Sequence, residues 1–247
     1  MHVSLSDEQC QRYARHLALP EVGEAGQEKL LHSKVLVIGA GGLGSPAAFY
    51  LAAAGVGTIG LMDGDTVDLS NLQRQILHTT ASVGANKTAS AQERLKALDP
   101  SIRIETHPFR LRKENATEIL ARYDFVIDAT DNFASRFLIA RACHEASKPW
   151  SHGGIRNFHG QTMTIIPGQT ACYCCIFHEE DESKEAIPQG PIGALPGVIG
   201  SIQAIEAIKY LLNIGTLLTD ALMTFDALTM SFRKVAVRRN SRCALCG

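Results

Sequence analysis

The segment Lys34–Ile38 (KVLVI) runs directly into Gly39-Ala40-Gly41-Gly42-Leu43-Gly44, and no other feature limits the fold as tightly. A short apolar run of this kind reads as a buried strand. A strand that ends in GxGxxG and opens a small-residue helix begins a nucleotide-binding βαβ unit. Without Cβ atoms the backbone turns sharply, and phosphate oxygens can approach amides at the helix N-terminus. Asp63 closes the next strand, where an acid bonds a ribose hydroxyl in such units. Dinucleotides and ATP both use this architecture, so the motif leaves the nucleotide open.

The rhythm continues downstream. Ser45–Ala54 reads as a helix, Thr58–Met62 as a strand and Asn86–Leu98 as a helix with Ala91, Leu95 and Leu98 on one face. Ile102–Glu105 is a strand, Glu114–Arg122 a helix and Phe125–Ala129 a strand. The helix Phe133–Ser147 stops before Pro149. This alternation predicts an α/β fold: a Rossmann-like, mostly parallel sheet with helices on both faces. After residue 150 the pattern changes. Gln161–Ile166 reads as a strand, 178–197 as a long loop, Ser201–Asn213 as a helix, and Val235 with Val237 marks a half-exposed strand. These predict a C-terminal antiparallel extension. Before the sheet, Ser6-Asp7-Glu8-Gln9 has the capping-box form. It opens a helix carrying Arg12, Tyr13 and Arg15 that ends near the Pro20–Gly26 connection. We read one domain with three parts: a helical arm over 1–30, a nucleotide-binding half over 31–150 and a second half over 151–247.

Composition excludes several classes. Lys+Arg number 24 against 25 Asp+Glu, a formal net charge of −1, which removes the electrostatic case for a nucleic-acid binder. The N-terminus has no basic region followed by an apolar stretch, and no run approaches the roughly 18 apolar residues of a membrane span. The expectation is a cytoplasmic protein without a membrane or nucleic-acid partner.

Seven cysteines are too few for a disulfide scaffold, but five of them cluster. Cys172 with Cys175 and Cys243 with Cys246 form two CxxC pairs, while Cys10 and Cys143 stand alone. Four thiolates suit tetrahedral zinc in a closed, structural site. A redox CxxC is the rival reading, and Cys174 is left over as an inert neighbour.

Two further groups carry chemistry. Ser70-Asn71-Leu72-Gln73-Arg74-Gln75 is followed by Lys87 on the next helix, and cations beside a glycine cradle suit a polyphosphate. A solvated loop plus a surface lysine is the plain alternative. Asp128-Ala129-Thr130-Asp131-Asn132 lies at the C-terminal end of a parallel strand, the edge where open α/β sheets bind ligands. A carboxylate there can hold magnesium, with Asp131 the better candidate and Asp128 a capping or orienting group. Asp131 could equally cap the following helix. His152 and His159 flank Gly153-Gly154 and read as solvated loop histidines, and Arg233, Lys234, Arg238, Arg239 and Arg242 as a solvated basic face.

Together GAGGLG at 39–44, AGVG at 54–57, SNLQRQ at 70–75, Lys87, TDN at 130–132 and the split CxxC pairs resemble the ThiF/MoeB/HesA family of ubiquitin-activating-type adenylyltransferases. The resemblance runs from Arg12 to Gly247. It implies ATP-dependent adenylation of the C-terminal glycine of a small ubiquitin-fold sulfur-carrier protein of the ThiS/MoaD type, ending in Gly-Gly, with release of pyrophosphate. By position, Gly39, Gly41, Gly42 and Gly44 would meet the nucleotide and Asp63 its ribose. Ser70, Asn71, Leu72, Gln73, Arg74 and Lys87 would hold the phosphates. Asp131 would carry Mg2+, with Asn132 beside it. Arg15 would reach into a neighbouring protomer's site, implying a homodimer, and Cys172, Cys175, Cys243 and Cys246 match the family's zinc ligands. The second half, 151–247, would then bind carrier and zinc, with the 178–197 loop covering the carrier tail.

One departure bears on mechanism. Residues 176–242 contain no cysteine, so the loop thiol with which some relatives capture their carrier is missing. With no appended sulfurtransferase domain after Gly247, the expectation is an adenylation-only enzyme serving a separate sulfur donor. Two other readings remain: an NAD-dependent oxidoreductase, in which Arg74, Lys87 and Asp131 would have no task, and a non-catalytic, zinc-stabilised nucleotide-binding scaffold.

Overall fold

The computed structural model describes residues 5–178 and 190–247. Eight strands form one sheet in the order β3-β2-β1-β4-β5-β6-β7-β8. They are β1 (Lys34–Ile38), β2 (Thr58–Met62), β3 (Arg103–His107), β4 (Phe125–Asp128), β5 (Trp150–Arg156), β6 (His159–Ile165), β7 (Ala221–Asp226) and β8 (Ser231–Ala236). β1 to β5 are parallel, and β5 to β8 pair antiparallel. The expected Rossmann-like sheet with an antiparallel extension is the observed one.

Period-two alternation in the central strands builds a core on each face. Val35, Val37, Ile59, Leu61, Phe125 and Ile127 point to one side, where Leu30, Leu51, Leu95 and Ile199 cover them. Their neighbours Leu36, Ile38, Met62 and Val126 point to the other, against Leu120, Phe137, Ile139 and Tyr173. The first layer comprises helices α3 (Gly23–His32), α4 (Gly44–Ala53), α5 (Lys87–Leu98) and α8 (Ala194–Leu212). The second comprises α6 (Lys113–Ala121), α7 (Phe133–Glu145) and the cysteine segments.

Several boundaries differ from expectation, each for a physical reason. The Ser6 capping box forms, with Gln9 as its partner. The helix it opens breaks at Tyr13, giving α1 (Asp7–Arg12) and α2 (Ala14–Leu17). Tyr13 turns inward so that its hydroxyl donates to the buried Asp99 carboxylate at 2.8 Å. The Pro20–Gly26 connection runs straight into α3. Helix α8 begins at Ala194 rather than Ser201, since Pro196 falls in its first turn, where proline is tolerated. Of the expected 178–197 loop, residues 179–189 lie outside the described residues. By length and a mean hydropathy of 1.2, α8 could also cross a membrane. Here Leu195, Ile199, Ala204, Ala207 and Leu211 are spent on the core instead.

Strand β5 is the main element the pattern did not predict, and it corrects the reading of His152. That side chain is fully buried, and its Nδ1 lies 2.9 Å from Asp128 Oδ2. His159 opens β6 and stays exposed. The basic run Arg233, Lys234, Arg238, Arg239 and Arg242 is exposed, as expected, and Arg239 in addition donates from Nε to the Cys246 carbonyl at 2.9 Å.

Burial lowers the pKa of His78, His107 and His152 from the ordinary value of 6.5. Below that value the unfolded imidazoles take protons that the folded ones refuse. Stability should therefore be fully present above pH 6.5 and fall on acidification, by up to about 1.4 kcal/mol per pH unit for each histidine. Urea midpoints measured at pH 7.5 and 5.5 check this, with a lower midpoint expected at pH 5.5.

Candidate functional site: a glycine-floored cleft and a groove that meet at Asp131

A cleft of about 970 Å³ opens at the C-terminal ends of β1 and β4. Strand order reverses between these neighbours, the place where open sheets part and bind ligands. Its floor is the Gly39–Gly44 turn, shaped by two backbone contacts that exclude side chains. A Cβ on Gly39, whose φ is +98°, would lie 2.6 Å from the Ala129 carbonyl oxygen. One on Gly44 would lie 1.8 Å from the Gly39 carbonyl oxygen. Gly39, Gly41 and Gly42 line the cleft, and Gly44 sits behind them as the first residue of α4.

Ala40 is held from both sides. Its N–H donates to Asp63 Oδ2 at 2.9 Å, and its carbonyl accepts from His78 Nε2 at 2.9 Å. A carbonyl only accepts, so the proton is on Nε2, and His78 Nδ1 accepts from the Ser90 hydroxyl at 3.0 Å. Burial keeps this imidazole neutral. Asp63 Oδ1 also accepts from the Asp65 N–H at 2.8 Å. The Asp63 carboxylate thus ties the glycine turn to the end of β2 as well as lining the cleft.

Charge is concentrated on one wall. Lys87, the first residue of α5, is only 6% exposed, and its Nζ lies 3.4 Å from Asp65 Oδ2 and 3.9 Å from Asp63 Oδ2. Arg110 donates to Asp65 Oδ1 at 2.8 Å. That guanidinium, and after it Lys87, hold the Asp65 carboxyl below its ordinary range against the opposing effect of burial. Arg74 and Gln75 complete this side. Gln75 Oε1 is buried without a hydrogen-bond partner among the described residues, an orphaned acceptor at the cleft wall.

The structure divides the SNLQRQ segment. Ser70, Asn71, Leu72 and Gln73 stay out of the cleft wall, which only Arg74 and Gln75 reach. Asp68 caps the 3₁₀ turn Leu69–Asn71, and the Ser70 hydroxyl is spent on Asp68 Oδ1 at 2.5 Å. A Cβ on Gly193 would meet the Gln73 carbonyl oxygen at 2.1 Å, so this turn packs under the start of α8. Arg15 is exposed on α2 and does not line the cleft of its own chain. Arg110, Phe109 and Leu111 line it without having been singled out. Their loop after β3 carries no local motif, and only the parallel β2–β3 pairing brings it to the cleft.

Asp131 is the junction. Asn132, not Asp131, caps α7, by accepting from the Ser135 N–H at 2.9 Å. The Asp131 carboxylate is left exposed where the cleft meets a second groove of about 790 Å³. That groove runs over β5 to β8 past Gly154, Gln161, Thr224 and Arg233, and shares Asp131 and Ile155 with the cleft.

The cysteines lie on the face of the sheet covered by α6 and α7, beside Phe177, which also lines the groove. Cys172, Cys175, Cys243 and Cys246 bring their sulfurs within 4.8 Å of one another, a cluster that could hold a metal. Sulfur pairs at 3.5–3.7 Å are too long for a disulfide. Cys174 is half-buried and packs against the core beside them.

Gly44→Ala should destabilise the protein by about 2–3 kcal/mol, because the new methyl meets a backbone oxygen that cannot yield. Urea denaturation of the variant measures the loss, and an unchanged midpoint would contradict the geometry.

Comparison with known proteins agrees with this arrangement. A sulfur carrier protein adenylyltransferase of Thermus thermophilus is 47% identical over 249 residues, covering 97% of this chain and 92% of the relative. A SAMP-activating enzyme E1 of Haloferax volcanii is 43% identical over 250 residues, covering 100% of this chain and 92% of the relative. The crystal structure of E. coli MccB with succinimide has the same fold, with a TM-score of 0.85 at 23% identity over 96% of this chain and 74% of that one. Residues 13–245 match the ThiF family, and on that match and these relatives the chain belongs to it.

Proposed function

We propose that this protein is an adenylyltransferase that activates a ubiquitin-fold sulfur-carrier protein, joining AMP from ATP to the carrier's C-terminal glycine and releasing pyrophosphate. The observation that carries this reading is the meeting of the two concavities at Asp131. One is a glycine-floored cleft walled by cations, suited to a nucleoside triphosphate. The other is a groove of about 790 Å³ over the antiparallel strands, open to an extended peptide tail. A terminal carboxylate arriving along the groove would meet an α-phosphate lying in the cleft.

The chemistry needs no side-chain nucleophile, because the carrier's own carboxylate attacks phosphorus. It needs neutralisation of charge on the phosphates and on the departing pyrophosphate. Arg74 and Lys87 supply it within the chain, and Arg110 stands at the same wall. The triphosphate would compete with Asp65 for Lys87 and Arg110. The amides of Gly41 and Gly42 offer uncharged donors to the phosphates, and the orphaned Gln75 Oε1 could accept from a nucleoside hydroxyl or amino group. Catalysis is then positioning plus electrostatic stabilisation. Arg15 would act across a homodimer, since its place on α2 leaves it outside its own cleft.

Two metals fit this reading. Asp131, with its carboxylate not engaged in capping, would hold Mg2+ together with substrate phosphates, the coordination magnesium favours. When bound, that ion neutralises phosphate charge and orients the triphosphate. For zinc, a Zn–S bond of about 2.3 Å sets tetrahedral sulfurs roughly 3.8 Å apart. The observed 3.5–3.7 Å pairs match this closely. Four thiolates leave no open position, so the zinc would be structural and tie the chain end to the segment after β6. With no cysteine between 176 and 242, the acyl-adenylate passes to a separate sulfur donor.

Exchange of labelled pyrophosphate into ATP, run with candidate carriers ending in Gly-Gly, tests the activity. Exchange should require a carrier and vanish in Asp131→Ala while that variant keeps its fold. Near-normal exchange in Asp131→Ala would remove its role, and no exchange with any carrier would sink the proposal.

Arg15→Ala and Asp131→Ala should each be inactive alone. Mixing the two should restore part of the exchange, because a mixed dimer contains one site with neither change. Failure to complement after subunit exchange would refute action of Arg15 across the dimer.

A further inference from the structure

Behind Asp131 lies a polar pair that neither the nucleotide cleft nor the groove touches. Asp128 ends β4 and His152 lies on β5, both fully buried, with Asp128 Oδ2 and His152 Nδ1 2.9 Å apart. A buried carboxylate is costly unless each lone pair finds a donor. Asp128 meets that demand with three donors. His152 Nδ1–H serves Oδ2, while the Thr130 N–H at 3.0 Å and the Thr130 hydroxyl at 2.6 Å serve Oδ1. Thr130 immediately precedes Asp131. The turn that presents Asp131 is therefore anchored through a carboxylate whose other oxygen is held by His152.

Everything around the imidazole limits its movement. Tyr173 meets it edge-on at 4.9 Å, Phe177 at 5.8 Å and Trp150 at 6.5 Å between ring centroids. Tyr173 and Phe177 stack on each other at 4.5 Å, and Tyr173 belongs to the turn between Cys172 and Cys175. Gln203 of α8 donates to the backbone oxygens of Asp128 at 2.8 Å and Ser151 at 3.1 Å, clamping the two strands together. The tautomer follows from the partners. Nδ1 must carry the proton to serve a carboxylate, leaving Nε2 as an acceptor 3.5 Å from the Gln161 amide nitrogen.

We propose that His152, acting through Asp128 and Thr130, is a positioning residue that fixes the Asp131 carboxylate for the metal–triphosphate complex. This rests on the proposed adenylyltransferase reading, and His152 touches no substrate in it. Removing the Nδ1–H donor leaves Asp128 Oδ2 unpaired in the core and frees the carboxylate to rotate away from Thr130. Asp131 then loses its fixed direction while the glycine floor, Arg74 and Lys87 keep theirs. Asparagine, whose Nδ2 can take the place of Nδ1, should preserve the arrangement, and leucine should not.

The test uses the full-length protein with ATP and Mn2+ as a spectroscopic substitute for Mg2+. Free Mn2+ is read by electron paramagnetic resonance, alongside carrier-dependent pyrophosphate exchange. In His152→Leu the Mn2+ affinity of the protein–ATP complex should fall several-fold, less than the roughly 10- to 100-fold cost of losing a direct partner of a metal ligand. Exchange should lose kcat more than it gains KM for ATP, and His152→Asn should restore both. A wild-type Mn2+ affinity in folded His152→Leu would overturn the proposal, because a merely structural role changes the folded fraction and not the affinity of folded protein. If His152→Leu does not fold, Thr130→Val removes one of the three donors and should weaken Mn2+ in the same direction, with an unchanged affinity counting against the proposal. Mn2+ binding needs no carrier. Absence of exchange in the wild-type protein would thus count against the function, while equal Mn2+ affinities would count against His152.

Discussion

The close approach of Gly39 to the Ala129 carbonyl is the contact on which the functional end of the molecule depends. β1 and β4 are neighbours that lead in opposite directions across the sheet, so the chain must leave their ends along diverging paths. With no side chain between them, the glycine turn and the Ala129–Asn132 turn lie against each other and become two walls of one cleft. A Cβ at Gly39 would push them apart. It would also demand a backbone conformation that L-residues rarely adopt. The opening of α4, the Asp63 tether and the placement of Asp131 all follow from that contact.

Electrostatics then explains why a chain with a formal net charge of −1 can build an anion site. Lys87 is nearly buried, and an unpaired ammonium there would be strongly unfavourable. Asp63 and Asp65 balance it, and Asp65 balances Arg110 as well. The acids keep the cations in place without capturing them in short bidentate pairs, since Lys87 sits 3.4–3.9 Å from both. Such a wall is preorganised, and overall charge does not reveal it. The cysteines divide in a similar way: four converge on the face covered by α6 and α7, and their absence from 176–242 constrains the mechanism as much as their presence elsewhere.

Legibility in the sequence followed the strength of the local pattern. KVLVI, TIGLM and FVID are apolar because both faces of a parallel strand are covered, and they read as strands without a structure. WSHGGIR does not, though β5 is buried over most of its length. Its Ser151 and His152 are polar groups satisfied inside the core, and its glycines make room for the Gln203 side chain, which a Cβ on Gly153 would meet at 2.5 Å. Inward-facing polarity looks like a loop in one dimension. The same blindness affected His78, Gln75 and Arg110, whose roles come from partners 38, 34 and 45 residues away respectively: Ala40, Gly41 and Asp65.

By itself, the sequence determined the α/β class, the glycine turn, the two cysteine pairs and the residue types of a polyphosphate-binding site. Those properties are local, since spacing and side-chain chemistry carry them whatever the rest of the chain does. Only the tertiary structure decided which of the motif residues face the cleft. It set Ser70–Gln73 beside the cleft wall that Arg74 reaches, gave Asn132 a cap on α7 as well as a place in the cleft, and left Asp131 at the meeting point of cleft and groove. It also buried His152 against Asp128. These outcomes depend on contacts between distant segments competing for the same donors and acceptors, and that competition is settled only when the sheet has brought the strand ends together.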